Sequence, residues 1–461
     1  MSGPHINELF TSIDPLLTKF TIGPIGKTLG CKSAAIAFHR QILLSVPVID
    51  SRHTRRLEVL RYADVAIVGG GLAGSIAANM LGRARISAVL IDPHRVYPPE
   101  FRCEKISGGA QLDRFCKTGL ADAVLPATTL DGVNWIARFG RLLDKRPSQQ
   151  HGIMYDALVN ILRQQIPNEI DTLQAKAIAV TTSQERQTVS LSNEETVSAR
   201  LVVLASGLNP GLRHALGIER RIISACHCIS IGFDVVPIDR TSFDFPALTY
   251  FAERTVHRTA YITFFPIQNA MRGNLFVYRD VQDPWLREIR RSPEQALDGC
   301  LPNLRRMIGD YKIAGNVKIR TTDLYVTSGH RRPGIVLVGD AFASPCPATG
   351  TGTDKVFTDV ERLCNVHIPN WLRTDGMSEA KIAEFYDDPI KQACDEWSAH
   401  EAFRLRSMTI ENSPFWLAQR WLRFLGRWGE GFARRARARL RLRTIVKGVG
   451  QRPTEGLSRP T

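Results

Sequence analysis

No uninterrupted apolar run in this chain approaches the ~20 residues that a bilayer-spanning helix needs. The expectation is a cytoplasmic protein, at most peripheral to a membrane. Its nine cysteines include no C-x-x-C pair. Cys226-His227-Cys228 is too tight and too solitary for a zinc site, so reduced thiols and no metal are expected. Acids are also scarce: 45 Asp and Glu stand against 60 Lys and Arg, a formal charge of +15. A basic balance suits nucleic acid or an anionic membrane, and where the charge lies matters more than its sum. Residues 1–60 hold few acids and only a weak helical pattern near 34–44. They read as a poorly ordered extension, an organelle-targeting segment, or the product of a start codon placed too far upstream. With 461 residues, 44% of them hydrophobic, the chain has material for two connected domains and peripheral helices.

What the chain does have begins with ADVAIVGGGLAGSIAANM at 63–80. Val65, Ala66, Ile67 and Val68 form the short apolar run of a strand buried on both faces, and they lead into Gly69-Gly70-Gly71-Leu72-Ala73-Gly74. Beyond the turn, Leu72, Ile76, Ala77, Met80 and Leu81 recur at helical spacing. The order is strand, G-x-G-x-x-G, helix. Gly69 permits the tight turn, Gly71 lets N–H groups approach a pyrophosphate at the helix N-terminus, and Gly74 lets the helix lie against the strand. Leu72 and Ala73 belong to the same cradle. A second strand at 88–91 ends on Asp92, where a ribose hydroxyl is bound in such units. The motif marks a dinucleotide site without separating NAD from FAD.

The stretch YPPEFRCEKIS (97–107), followed by a helical segment closing on Thr118-Gly119-Leu120, resembles the FAD-dependent group A flavin monooxygenases (aromatic hydroxylase-like) and their geranylgeranyl reductase-like relatives. The resemblance covers about residues 62–365. In that superfamily an Arg here salt-bridges the FAD phosphate or ribose; Arg102 falls in that register, with Lys105 the second choice. Tyr155 stands where the family usually carries Arg. SGLNPGLRHALGI at 206–218 is similar to the family's "ADGarSavRraLGI", with Ser206 in place of an Asp that helps organise flavin and nicotinamide. Residues 222–321 mix β-branched, aromatic and polar positions in the manner of an inserted antiparallel sheet. Within it, YITFFP at 261–266 resembles the aromatic-Pro segment bordering the flavin, and Phe264 and Phe265 are the substrate-binding candidates.

The second motif is GIVLVGDAFASPCPATGTGTDKVFTDV at 334–360. A buried strand ends at Gly339-Asp340, where the carboxylate can accept a ribityl hydroxyl. Pro347, Gly350, Thr351 and Gly352 then open a helix whose N-terminus suits negative charge at the flavin pyrimidine. The family carries "GDAAH…P…GxG…N…D"; here Phe342-Ala343 replaces Ala-His, Thr353-Asp354 surrounds the usual Asn, and Asp359 follows. Two motifs in the family's order select FAD. The fold class implied is α/β: a Rossmann-type FAD-binding domain (61–221 and 322–365), an inserted antiparallel sheet (222–321) for substrate, and C-terminal helices with a basic tail (366–461).

The resemblance implies an NAD(P)H-dependent monooxygenase. Reduced flavin would bind O2 as a C4a-hydroperoxide and hydroxylate or epoxidise a hydrophobic or aromatic small molecule. No catalytic side chain is assigned. Cys346 reads either as a redox-active thiol or as a small apolar filler. The tryptophan-halogenase reading is disfavoured by the lack of a W-x-W-x-I-P stretch. Two rivals stand beside it: a flavin-dependent reductase of isoprenoid double bonds, for which Cys103 and Ser107-Gly108-Gly109 are a distant echo, and a non-catalytic binding module on the same fold.

In 414–447, Trp421, Phe424, Leu425, Trp428 and Phe432 recur at helical spacing among Arg420, Arg423 and Arg427. The segment reads as a helix packed on the FAD domain with a solvated tail, as a membrane-surface anchor, or, third, as a nucleic-acid contact. Gly426, Gly429 and Gly431 argue against one long stiff helix.

Overall fold

The computed structural model describes residues 61–449, with side chains of the last helix described as far as Arg437. The expectations for 1–60 and for the end of the basic tail lie outside the described residues. Hydrophobic runs without alternation make the centre of a seven-stranded sheet. Asp171–Leu173, Ala88–Ile91, Arg61–Val68, Thr196–Leu204 and Ile335–Leu337 are parallel neighbours there, and Gln187–Leu191 and Ala177–Thr181 extend one side antiparallel. Val65, Val203 and Leu337 are wholly buried, as strands covered on both faces must be.

Residues with alternating character form an eight-stranded sheet. Its order is Ala343–Ser344, Tyr311–Ser328, Glu219–Pro237, Ala270–Val277, Thr259–Ile267, Ala247–Phe251, Val133–Arg138, Arg141–Pro147. It is wider than the insert read from the sequence, because it takes in strands from 133–147 and from beyond 321. Period-two alternation gives it two chemically different faces. Ile229, Ile231, Phe233, Ile262, Phe264 and Leu275 point to the far face and pack with the helices Trp285–Arg291, Pro293–Cys300 and Leu304–Ile308. Gly232, Asp234, Tyr261, Thr263, Phe265, Arg272 and Asn274 lie on the near face. The small sheet Cys103–Ser107, Gln150–Met154 and Thr129–Leu130 sits against that near face; a Cβ at Gly152 would lie 3.0 Å from the Pro266 carbonyl.

Two long helices close the described chain. Pro389–Ile410 starts on Asp388, whose carboxylate accepts the amides of Ile390 and Lys391. Pro414–Val449 then runs unbroken through Gly426, Gly429 and Gly431, so the glycines do not end it. Among the described residues no helix is long and apolar enough to cross a membrane.

Candidate functional site

Gly69 turns the chain with φ +106°, and a Cβ there would lie 2.6 Å from the Ala205 carbonyl oxygen. The helix Leu72–Arg83 then comes so close to the turn that a Cβ on Gly74 would stand 1.8 Å from Gly69 O. Gly71 differs: an added Cβ would meet only the Tyr155 hydroxyl, at 3.3 Å. That hydroxyl accepts the Leu72 N–H at 3.2 Å. Tyr155 thus occupies the position from which an anionic oxygen would take the same amide. Ala73 is buried in the first turn.

Asp92 ends its strand as expected and is already engaged. It accepts Gly70 N at 2.7 Å and His94 N at 2.9 Å, with Arg163 Nη2 at 3.1 Å. Arg163 also donates to the Gly70 carbonyl through Nε at 2.8 Å. Sequence reading did not single out Arg163, because it lies far along the chain on the helix Tyr155–Gln164.

Arg102 stacks its guanidinium 3.3 Å above the Tyr155 ring. Its Nε is buried without a hydrogen-bond partner, 3.6 Å from Glu100 and 3.7 Å from Glu104. Burial works against the Arg102 charge, yet Glu104, Tyr155, Glu100 and Asp340 raise its pKa. Burial likewise raises the carboxyls of Glu104 and Asp340, with Arg102 opposing in each case. A helix N-terminus, an amide capped by a replaceable hydroxyl, and an orphaned arginine nitrogen form the donor set a dinucleotide diphosphate takes, so the residues fit FAD. Lys105 does not join them. It points to the sheet, with Nζ 3.4 Å from Thr263 Oγ1 and 4.5 Å from the Phe265 ring centre, and burial lowers its pKa.

At the second motif the strand Ile335–Leu337 delivers Gly339, whose N–H is accepted by Asp359 Oδ2 at 2.9 Å. Asp359 Oδ1 in turn receives Lys391 Nζ at 2.8 Å, and Asp395 joins Lys391 to Lys355. This buried network holds the turn that presents Asp340. Tyr325 donates its hydroxyl to the Asp340 carbonyl. Pro347–Thr349 and Gly350 (φ +70°) then lead into the helix Gly352–Arg362. Thr351 Oγ1 is tied to Ser398 Oγ at 2.7 Å. Asp354 takes Arg114 Nη1 at 2.5 Å and Gln111 Nε2 at 3.2 Å.

The near face of the large sheet covers this loop. Tyr261 donates to the Ala348 carbonyl. Beside it, Cys228, Tyr278, Cys346 and Ala348 form one buried cluster. His227 sits edge-on to Tyr278 at 5.9 Å, with Nδ1 3.1 Å from Ser224 Oγ and Nε2 3.3 Å from the Ala402 carbonyl. Hydrogen bonding from Cys228 lowers the pKa of the Cys346 thiol, against burial and with help from His227. Cys228 moves the opposite way, since it keeps its proton to donate to Cys346 and is buried. The Tyr278 hydroxyl is buried with no partner. The sequence reading took Cys226 and Cys228 as reduced thiols and left Cys346 open; the fold brings His227, Cys228 and Cys346 together, while Cys226 turns away, its Sγ 3.7 Å from the Arg279 carbonyl. All the cysteines in the described residues are free.

Of the two phenylalanines taken as substrate contacts, only Phe265 faces this side, and it too is buried, packed with Ile267, Cys103 and Met154. Phe264 is fully buried on the far face, 6.2 Å from the Phe245 ring. Consecutive strand residues point to opposite faces, so both cannot line one pocket.

A protein family described as "FAD binding domain" matches residues 62–366. Among solved structures, p-nitrophenol 4-monooxygenase PnpA from Pseudomonas putida DLL-E4 is 15% identical with a TM-score of 0.64, covering 81% of this chain and 95% of that one. The flavin-dependent brominase Bmp2 is 15% identical with a TM-score of 0.59, covering 79% and 94%. The flavin-dependent monooxygenase PieE, solved with FAD and substrate, is 15% identical with a TM-score of 0.57, covering 81% and 72%. No curated protein sequence matches the chain.

Proposed function

The chain belongs to the FAD binding domain family, and on that premise we propose that it is an NAD(P)H-dependent monooxygenase that hydroxylates or epoxidises a hydrophobic or aromatic small molecule. The carrying observation is the closure of the sheet's near face over the second motif, Tyr261 bonded to the Ala348 carbonyl. That contact sets the polar, aromatic near face of the sheet directly over the loop 347–352. The names of p-nitrophenol 4-monooxygenase and PieE support the class.

The Gly71 and Leu72 amides, Arg102 and Asp92 would hold the diphosphate and ribose end of FAD, Asp340 a ribityl hydroxyl, and 347–352 the pyrimidine. When bound, FAD supplies acceptance of hydride from the nicotinamide and activation of O2. The chain's own part is to bind, orient and exclude water. On the near face Tyr261 and Phe265 would border the substrate, and Lys105 offers a cation or, deprotonated, a base toward an acidic substrate group. His227, Cys228 and Cys346 can hold or pass a proton at the other end. In this assignment 61–221 and 322–365 carry FAD, and the sheet of 222–321 receives the substrate.

The test is consumption of NADPH and O2 by yellow holoprotein across a panel of phenols and isoprenoids. Substrate-stimulated NADPH oxidation that incorporates oxygen into product supports the proposal. Anaerobic saturation of a double bond would instead establish the reductase, and protein that takes up no FAD would establish the binding module.

A further inference from the structure

The C-terminal helix Pro414–Val449 is amphipathic in the reverse sense to an ordinary surface helix. Its inward face carries Arg420, Arg423, Arg427 and Arg434, and these dock it. Arg420 Nη1 donates to the carbonyls of Met408 and Glu411 at 3.1 and 2.6 Å. The Arg427 guanidinium lies 3.9 Å over the Phe251 ring. Arg434 grips the buried carboxylate of Asp144 with two bonds of 3.0 and 2.6 Å. At Gly431 the helix backbone touches the strand Arg141–Pro147 so closely that a Cβ would lie 2.0 Å from the Leu143 carbonyl. These contacts set the rotation of the helix about its axis.

The apolar residues are therefore left outside. Phe415, Trp421, Leu422, Leu425, Trp428 and Phe432 are each 51 to 64% exposed. They follow helical spacing in one stripe about 25 Å long at the usual rise per residue. A contiguous stripe of this size on a helix pinned with its cations inward marks a contact surface. Residues 414–449 contain ten Arg and Lys and one acid, Glu430; where the stripe ends Arg437 is exposed, beside Arg435, which also donates to the Leu143 carbonyl at 3.0 Å.

We propose that this stripe is a membrane-surface site. The helix lies in the headgroup layer of an anionic bilayer, with its aromatic and leucine side chains at the acyl boundary and its arginine-rich end on anionic headgroups. Charge favours lipid over a second copy of the chain: a formal +15 repels its like and attracts an anionic surface. The inference is independent of the reaction proposed above.

The test uses the full-length holoprotein and sedimentation with vesicles of phosphatidylcholine alone or mixed with phosphatidylglycerol. Wild type should partition onto the mixed vesicles and be released by salt. Leu422→Gln/Trp428→Gln/Phe432→Gln should bind roughly tenfold more weakly or worse, with unchanged FAD content and circular dichroism. No binding by wild type, or equal binding by the triple variant, overturns the proposal. So does a wild-type dimer in lipid-free sedimentation velocity that the triple variant disperses, since the stripe would then belong to a second copy.

Discussion

The Asp359–Lys391 pair offers a quantitative test of how the second motif is held. Both side chains are 1% exposed. Asp359 serves two donors at once, the Gly339 N–H and Lys391 Nζ. Asp359→Asn has a single carbonyl oxygen, so its NH2 must confront one of those donors, and the network is left with an excess buried cation. Lys391→Met leaves Asp359 and Asp395 with only Lys355. Breaking a buried pair from one side costs about 3–5 kcal/mol, because a charge is stranded away from water. The double variant strands none: Lys355 still pairs with Asp395, and methionine fills much of the lysine's volume. Its loss should fall short of the sum of the single losses by about 2 kcal/mol. Urea unfolding of the four proteins, each with excess FAD, measures this. Single losses that add within ~0.5 kcal/mol would refute the reasoning, for they would mean that the two charges do not interact.

Gly71→Val should fold, since its side chain has only the Tyr155 hydroxyl to displace, but should retain little FAD after gel filtration. Gly74→Ala, with its Cβ forced onto Gly69 O, should lose about 1–3 kcal/mol of stability in thermal unfolding, or fail to fold. Wild-type FAD retention by Gly71→Val would remove the first motif from the cofactor site, and wild-type stability of Gly74→Ala would refute the close packing of helix on turn. Arg102→Gln and Asp340→Ala should each weaken FAD binding roughly tenfold to a hundredfold in a fluorescence titration, the cost of a charged hydrogen bond, with unfolding of the apoprotein little changed. For Asp388, burial alone would raise the carboxyl, but bonds from Arg362, the Lys391 amide and His367 hold it at about 2, below the ordinary 3.8. Its contribution of about 2 kcal/mol is therefore present above pH ~4 and lost as pH falls toward 2. Asp388→Asn should flatten that acid limb of the stability profile.

The parts legible in the sequence are those whose physics is contained in neighbouring residues. A buried strand running into Gly69-Gly70-Gly71, an acid ending the next strand and a Gly-Asp turn leading to a glycine-exposed helix are local requirements of backbone, turn and charge. They located the α/β core and both candidate cofactor loops. What tertiary structure decided is what depends on which surface meets which. Alternation announces that Phe264 and Phe265 part company, but only the helices packed on Phe264 and the small sheet packed on Phe265 say which face each one meets; both are buried. Arg163 reaches the glycine turn, and Cys228, His227 and Cys346 gather at one point, because parallel crossovers and a long antiparallel return bring distant segments together; no spacing rule records that. The C-terminal helix shows the same limit. Its periodicity reveals an aromatic side and a cationic side, while the buried carboxylate of Asp144, the Leu143 carbonyl against Gly431 and the Phe251 ring under Arg427 turn the cationic side inward.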